Sequence, residues 1–336
     1  MSLPNTHQIL IDQYGRKHNY LRIALTERCN LRCFYCMPED GVEVKNKAEF
    51  ISRKEILTVA KEFVRLGGNK IRLTGGEPLA RKDVEEIIRD LALLPVELAL
   101  TTNGVLIDRF LPLFKELKFK NINISLDSLD QDKNLIITKR NYFIRVMKNI
   151  ELLCEDGIHP KVNTVIMNGV NDDELFNFID LTKELPIEVR FIEFMPFKGN
   201  NWNSDKCISY NEIIERIQTQ YGEQNLVKLE DAIGSTSRGF KIKGHLGTIG
   251  IISSVSNPFC SGCNRIRLTA DGKLKNCLFS TNEWNILEPL RNGDDIKPVF
   301  EACILSKKEL RAGIATMDNS TVTSSEENRS MILIGG

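Results

Sequence analysis

Short β-rich segments punctuate the first two thirds of the chain, at Leu21–Leu25, Lys70–Leu73, Glu97–Thr101, Asn121–Leu126, Lys161–Met167 and Glu188–Glu193, which predicts six strands. Each but the last two is followed closely by a helical spacing of apolar residues, or by a loop leading into one. Helix starts are chemically marked. Ser52 with Glu55, Asp83 with Glu86, Asn171 with Glu174 and Ser209 with Glu212 fit capping boxes or looser versions, in which side chains satisfy free backbone amides. After the first of these, Ile56, Leu57, Ala60, Phe63 and Val64 form an apolar stripe that stops at Gly67 and Gly68. Repeated βα units with right-handed crossovers give a parallel sheet. Six of them predict an α/β fold built as an incomplete (β/α)6 TIM-type barrel rather than the full eight, with site residues at the C-terminal ends of the strands.

After Tyr221 the pattern changes to glycine-rich, β-leaning sequence, with turn signals at Gly244–Gly247 and at Asp271–Gly272. A smaller C-terminal α+β appendage is expected there, dividing the chain into a partial barrel over residues 1–220 and a second region over residues 221–336. Arg265 to Thr269 and Lys273 to Cys277 read as a hairpin, because Asp271 and Gly272 supply the positive φ of a tight turn. The stretch from Met317 to Asn328 is polar and poorly periodic and is expected to be a mobile tail.

Composition narrows the function. Within 336 residues, 45 Lys and Arg balance 45 Asp and Glu, so no overall charge draws the chain to nucleic acid or a membrane surface. Met1 to Leu10 has no cationic stretch leading into an apolar run, and no segment is apolar for the length of a bilayer, so a cytoplasmic protein is expected. Six of the nine cysteines fall in two tight groups, which favours metal ligation over disulfides, while Cys154, Cys207 and Cys303 stand alone.

The first group, Cys29, Cys33 and Cys36, follows the first strand. Gaps of three and two residues let one short loop wrap three thiolates around a cubane iron–sulfur cluster, leaving the fourth iron open. A zinc site is the competing reading, although structural zinc takes four ligands. At the end of the second strand stand Thr74, Gly75, Gly76, Glu77 and Pro78. Paired glycines let the backbone approach a ligand closely, and the glutamate can meet an ammonium group. Further strand ends carry Thr101 to Gly104, Ser125 to Asp127 and Glu193 to Pro196, lining one rim.

The Cys-x3-Cys-x2-Cys loop, the Thr-Gly-Gly-Glu-Pro turn and the Ser125–Asp127 strand end together resemble the radical S-adenosylmethionine superfamily. That resemblance implies a cluster whose open iron chelates S-adenosylmethionine, and reductive cleavage to methionine and a 5′-deoxyadenosyl radical. The second group is Cys260, Cys263 and Cys277. Spacing alone leaves open a zinc ribbon corner completed by Cys303 or His245. Arg265 and Arg267, two apart in an expected strand, point to one face and make an anion pocket beside the metal site.

The run from Cys260 through Asn264, Arg265, Arg267, Asp271 and Gly272 to Cys277, with terminal Gly335 and Gly336, closely resembles the GTP 3′,8-cyclase family that opens molybdenum cofactor (molybdopterin) biosynthesis. The resemblance spans Tyr14 to the C-terminus and is weakest over residues 222–239 and 306–328. It implies two [4Fe-4S] clusters, held by Cys29, Cys33 and Cys36 and by Cys260, Cys263 and Cys277. It further implies S-adenosylmethionine contacts from Tyr35, Gly76, Ser125 and Met195, and GTP contacts from Arg22, Arg72, Thr101, Lys161, Arg265 and Arg267. The reaction implied is hydrogen abstraction from C3′ of GTP and attack on C8, giving (8S)-3′,8-cyclo-7,8-dihydroguanosine 5′-triphosphate. A homodimer, a one-electron donor such as flavodoxin, and hand-off to cyclic pyranopterin monophosphate synthase come with it. Gly335 and Gly336 would reach the active site, two glycines threading a channel where any Cβ clashes; the preceding Ile332 and Leu333 are unusually apolar for such a path. Two rivals stand beside this reading. A peptide-modifying radical enzyme would be separated by its substrate, and a zinc module for nucleic acid by metal and sulfide content.

Overall fold

The computed structural model describes residues 10–38, 40–42, 45–318 and 327–335. Six parallel strands pair in chain order: β1 (Tyr20–Ala24), β2 (Lys70–Thr74), β3 (Glu97–Thr102), β4 (Asn121–Ser125), β5 (Lys161–Ile166) and β6 (Glu188–Glu193). The connections carry α1 (Arg53–Arg65), α2 (Val84–Ala92), α3 (Ile107–Glu116), α4 (Gln131–Thr138) with α5 (Phe143–Glu155), α6 (Leu175–Glu184) and α7 (Tyr210–Tyr221). Helices therefore follow β5 and β6 as well, after the helix starts marked at Asn171 and Ser209, although not as closely as after the earlier strands.

Side chains alternate along the strands. Leu21, Ile23, Ile71, Leu73, Ile122, Ile124, Val189 and Phe191 are fully buried in the hydrophobic core. The intervening Arg22, Arg72, Asn123 and Arg190 line the lumen. A parallel strand covered on both faces is ordinarily apolar throughout, so this polar alternation marks a barrel interior that is a cavity and not a packed core.

The last third extends the same sheet at both edges. β7 (Leu226–Lys228) and β8 (Arg238–Ile242) lead into β9 (Thr248–Ile252), which runs parallel to β6. β10 (Arg265–Leu268) pairs parallel to β1, and β11 (Lys273–Lys275) and β12 (Trp284–Asn285) continue antiparallel beyond it. Open edges expose unpaired backbone groups, which these strands satisfy. Among the described residues the sheet is an open array of 12 strands, with α8 (Leu287–Asn292) and α9 (Lys297–Leu305) completing the region.

Local signals account for some boundaries and not others. Ser52 with Glu55 and Ser209 with Glu212 form complete capping boxes. Gly67 takes φ +102° after α1, and the α1 stripe stops there as the sequence predicts. The expected caps at Asp83 and Asn171 do not form. Asp83 is taken by Arg81 at 2.7 Å, and Asn171 donates to the carbonyls of Asp127 at 2.7 Å and Val165 at 2.9 Å. The capping oxygens are thus taken by other neighbours in sequence, Arg81 for Asp83 and Met167 N at 2.8 Å for Asn171 Oδ1. The expected hairpin forms between β10 and β11, with Gly272 at φ +71°.

Candidate active site

A cavity of about 730 Å³ runs through the lumen from the N-terminal strand ends at Tyr20, Lys70 and Lys161 to the C-terminal ends, so the expected site residues are not confined to the C-terminal rim. All six clustered cysteines line it, together with Tyr35, Gly76, Ser125, Met195, Arg22, Arg72, Thr101, Lys161, Arg265 and Arg267. Gly335 lies at its edge through Arg267, while Gly336 falls outside the described residues.

The first cysteine loop is held by backbone. Gly76 N–H donates to Thr26 O at 2.7 Å and Glu77 N–H to Arg28 O at 2.8 Å, which carries the β1–β2 pairing on into the loop. A Cβ on Gly75 would lie 2.5 Å from Thr26 O, and one on Gly76 would lie 2.3 Å from Arg28 O. The two glycines therefore permit close approach of two backbones beside Cys29, with Gly75 at φ +142°. Glu77 departs from the expected role. It is fully buried, accepts from Thr102 Oγ1 at 2.8 Å, Asn103 N at 2.7 Å and Leu79 N at 2.9 Å, and does not line the cavity. Burial pushes its carboxyl up to about 7 against those donors. Beneath the loop, Met167, Phe194 and Trp202 form a small apolar cluster against Phe34 and Tyr35. Tyr35 donates its hydroxyl to Asp127 at 2.6 Å, and Asp127 is fixed from the other side by Val165 N at 2.9 Å.

Among the described residues no three His, Cys, Asp or Glu side chains converge tightly enough to hold one metal ion. Cys303 is in the apolar core and His245 is hydrogen-bonded to Thr182 at 2.8 Å, so neither completes the second group. Burial pushes the Cys29 thiol up to about 11 and Cys36 up to about 12. Uncompensated thiolates are thus disfavoured there, and cationic iron would supply the compensation. At the second trio burial also raises Cys263, but Lys307 and Arg265 outweigh it and bring the thiol down to about 6. Cys260 Sγ accepts from Arg311 N at 3.4 Å.

Between the trios runs a cationic row set by strand register. Arg267 of β10, Arg22 of β1 and Arg72 of β2 are successive neighbours across the sheet, and Arg265 stands beside Tyr20. Burial, then the Arg267 guanidinium, depresses Arg22 well below the usual arginine value, and burial brings Arg267 down to about 10. Arg265 lies over the Phe259 ring at 5.1 Å, and its buried Nη2 has no hydrogen-bond partner among the described residues. Arg72 is held by Leu100 O at 2.7 Å and Thr101 Oγ1 at 3.3 Å. Lys161 and Arg190 share Glu188, at 2.7 Å and 2.6 Å. Crowded, desolvated cations of one sign are stabilised by a neighbouring anion, so the row has the chemistry to hold one.

Lys307 and Arg190 were not singled out from sequence. Arg190 alternates with Glu188 in β6, a readable signal, whereas Lys307 lies in a stretch with no pattern and reaches Cys263 only through the fold. The tail also differs from expectation. Asn328, assigned to a mobile segment, is buried, and Ile332 and Ile334 are 2% and 1% exposed, which explains their apolar character. Gly335 takes φ +76°, its carbonyl accepts from Arg267 Nη1 at 2.6 Å, and a Cβ there would sit 2.5 Å from Thr74 Oγ1. Residues 319–326 of the expected mobile tail lie outside the described residues.

A partial parallel barrel with a three-cysteine loop after its first strand is the architecture of radical S-adenosylmethionine proteins, and the family model described as Radical SAM superfamily matches residues 23–182. The crystal structure of Streptococcus suis SuiB bound to S-adenosylmethionine shares this fold, with a TM-score of 0.65 over 96% of this chain and 79% of that one at 15% identity. A second model, Molybdenum Cofactor Synthesis C, matches residues 187–312. The mitochondrial GTP 3′,8-cyclase of Arabidopsis thaliana is 46% identical over 98% of this chain and 84% of its own length. The GTP 3′,8-cyclase of Alkaliphilus oremlandii is 41% identical over 97% and 99%. The chain belongs to the GTP 3′,8-cyclase family. It spans about half the length of the related molybdenum cofactor biosynthesis protein 1 of Homo sapiens, which is 46% identical over 97% of this chain and 51% of its own.

Proposed function

We propose that the chain is a GTP 3′,8-cyclase that joins C3′ of the ribose to C8 of guanine in the first step of molybdenum cofactor biosynthesis. The observation that carries this is the placement of two cysteine trios on the walls of one cavity, with the arginine row between them.

In this reading Cys29, Cys33 and Cys36 hold an iron–sulfur cluster, with S-adenosylmethionine between Tyr35, Gly76, Ser125 and Met195. Cys260, Cys263 and Cys277 hold a second cluster at the far wall. When bound, the first cluster and its cofactor supply the one-electron chemistry that removes hydrogen from an unactivated carbon. The residues of the chain do the rest. Arg22, Arg72, Arg265 and Arg267 neutralise the triphosphate, Thr101 and Lys161 orient the nucleotide, and the walls keep water from the reacting carbon. Arg265 Nη2, buried without a hydrogen-bond partner among the described residues, supports an anionic ligand at that end. Gly335 closes the edge of the cavity, and its carbonyl fixes Arg267. Partners in this reading are a second copy of the chain, a small electron-transfer protein, and the enzyme that next rearranges the cyclised nucleotide. Anaerobic incubation of the iron- and sulfide-loaded protein with S-adenosylmethionine, a reductant and either GTP or a peptide tests the substrate class. Conversion of GTP alone is expected, and conversion of peptide alone would overturn the proposal.

A further inference from the structure

The segment that leads to Gly335 is anchored in an ionic cluster. Arg329 donates Nη1 to Asp271 at 2.8 Å and Nη2 to Glu283 at 2.5 Å. Beside it, Asn328 accepts from Lys275 Nζ at 3.1 Å and donates to Leu278 O at 3.1 Å. Lys275, its side chain fully buried, also meets Glu283 at 3.3 Å. Lys45 bridges Asp271 at 2.8 Å and Glu27 at 3.2 Å, and Arg329 lies 3.9 Å from Glu27. Four cations thus hold three carboxylates; Lys273, 3.5 Å from Glu283, is 38% exposed, and every other side chain of the network is 22% exposed or less.

The members come from three separate parts of the site. Glu27 stands two residues before Cys29, Lys275 stands two before Cys277, and Arg329 stands six before Gly335. A shielded network loses more than one contact when a member is removed, because its remaining charges are left uncompensated. At the other end of the tail there is no slack, since Gly335 fits only without a Cβ and its carbonyl is held by Arg267. Ile332 and Ile334 fill the space between the two anchors.

We propose that Arg329 is a positioning residue that latches the C-terminal tail, setting Gly335 at the cavity edge in register with both cysteine loops. The proposal rests on the reading that the tail takes part in turnover. It assigns Arg329 no contact with substrate; the residue acts through Gly335 and Arg267.

The test uses the full chain loaded with iron and sulfide, comparing Arg329→Ala, Arg329→Lys and Glu283→Gln with the unsubstituted protein. Iron and acid-labile sulfide, hydrogen exchange of the 330–335 backbone, and kcat and KM for GTP are measured on each. Arg329→Ala is expected to keep its iron and sulfide and lose exchange protection over the tail, with kcat falling by about a hundredfold and KM changing far less. Arg329→Lys should recover part of both, because one ammonium still reaches a carboxylate. Glu283→Gln should show a milder form of the alanine effect. A protected tail in Arg329→Ala overturns the latch, as does loss of iron and sulfide in step with activity in all three variants. A released tail with unchanged kcat overturns the role of the tail in turnover. If the unsubstituted protein leaves GTP unchanged, the functional reading fails, and the exchange data still decide whether Arg329 anchors the tail.

Discussion

Gly76→Ala tests how closely the two loops at the first cysteine trio depend on each other. A Cβ at this position lies 2.3 Å from Arg28 O, 2.6 Å from the Arg28 carbonyl carbon and 3.1 Å from Cys29 N. Backbone atoms cannot swing aside as a side chain can. Reaching an ordinary contact of about 3.4 Å therefore requires the loops to part by about 1 Å. That separation stretches the bonds from Gly76 N to Thr26 O and from Glu77 N to Arg28 O, now 2.7 and 2.8 Å. Two weakened hydrogen bonds at about 1 kcal/mol each, with an overpacking cost of about 1–3 kcal/mol, give a local strain of about 3–5 kcal/mol. A domain stable by about 5–15 kcal/mol stays folded under that strain, but Cys29 moves with its loop. A displacement of about 1 Å at a reacting centre costs about a hundredfold in rate. The assay pairs far-UV circular dichroism with release of 5′-deoxyadenosine from S-adenosylmethionine under reductant. A native spectrum with cleavage slowed by about a hundredfold is expected; cleavage within about twofold of the unsubstituted rate would refute the reasoning.

Other substitutions probe the remaining parts. Gly335→Ala places a Cβ 2.5 Å from Thr74 Oγ1 at φ +76°, so cyclisation should fall by at least about tenfold with iron and sulfide unchanged; normal cyclisation would remove the tail from the site. Arg265→Ala removes the guanidinium whose Nη2 lacks a hydrogen-bond partner among the described residues, and a charge-assisted contact of about 1.5–3 kcal/mol predicts a KM for GTP raised by about tenfold or more; an unchanged KM would place the phosphates elsewhere. Burial holds the Glu77 carboxyl at about 7 against an ordinary 4.5, so the folded chain keeps a proton that the unfolded chain has released. Stability from this group is accordingly full below pH 4.5 and declines as pH rises to about 7. Urea midpoints across that window should fall more steeply for the unsubstituted chain than for Glu77→Gln, and parallel profiles would contradict the assignment.

The strands and their chemistry were legible where the signal is local. Six strands, the capping boxes at Ser52 and Ser209 and the Asp271–Gly272 hairpin depend on neighbours in sequence, and they appear where the pattern puts them. Asp83 and Asn171 carry the same local signal, but Arg81 and the Met167 amide take their capping oxygens, and the fold brings Asp127 to the Asn171 amide. Glu77 illustrates the same limit at the site. Its position after two glycines suggested a ligand contact, yet buried donors on Leu79, Thr102 and Asn103 turn it inward. The cysteine trios were readable from spacing, but the row joining Arg267, Arg22 and Arg72 needed the parallel pairing of β10 with β1 across more than two hundred residues. Arg329 and Lys307 had no sequence signal, because their meaning lies in carboxylates and a thiol contributed by distant segments.

The most direct measurement is mass analysis of the nucleotide after anaerobic incubation of the iron- and sulfide-loaded protein with GTP, S-adenosylmethionine and a reductant. A cyclised product with the mass of GTP and a new C3′–C8 bond, formed together with an equal amount of 5′-deoxyadenosine, is the expected result. Unchanged GTP alongside cleaved S-adenosylmethionine, or a colourless protein that holds zinc and no acid-labile sulfide, would contradict it.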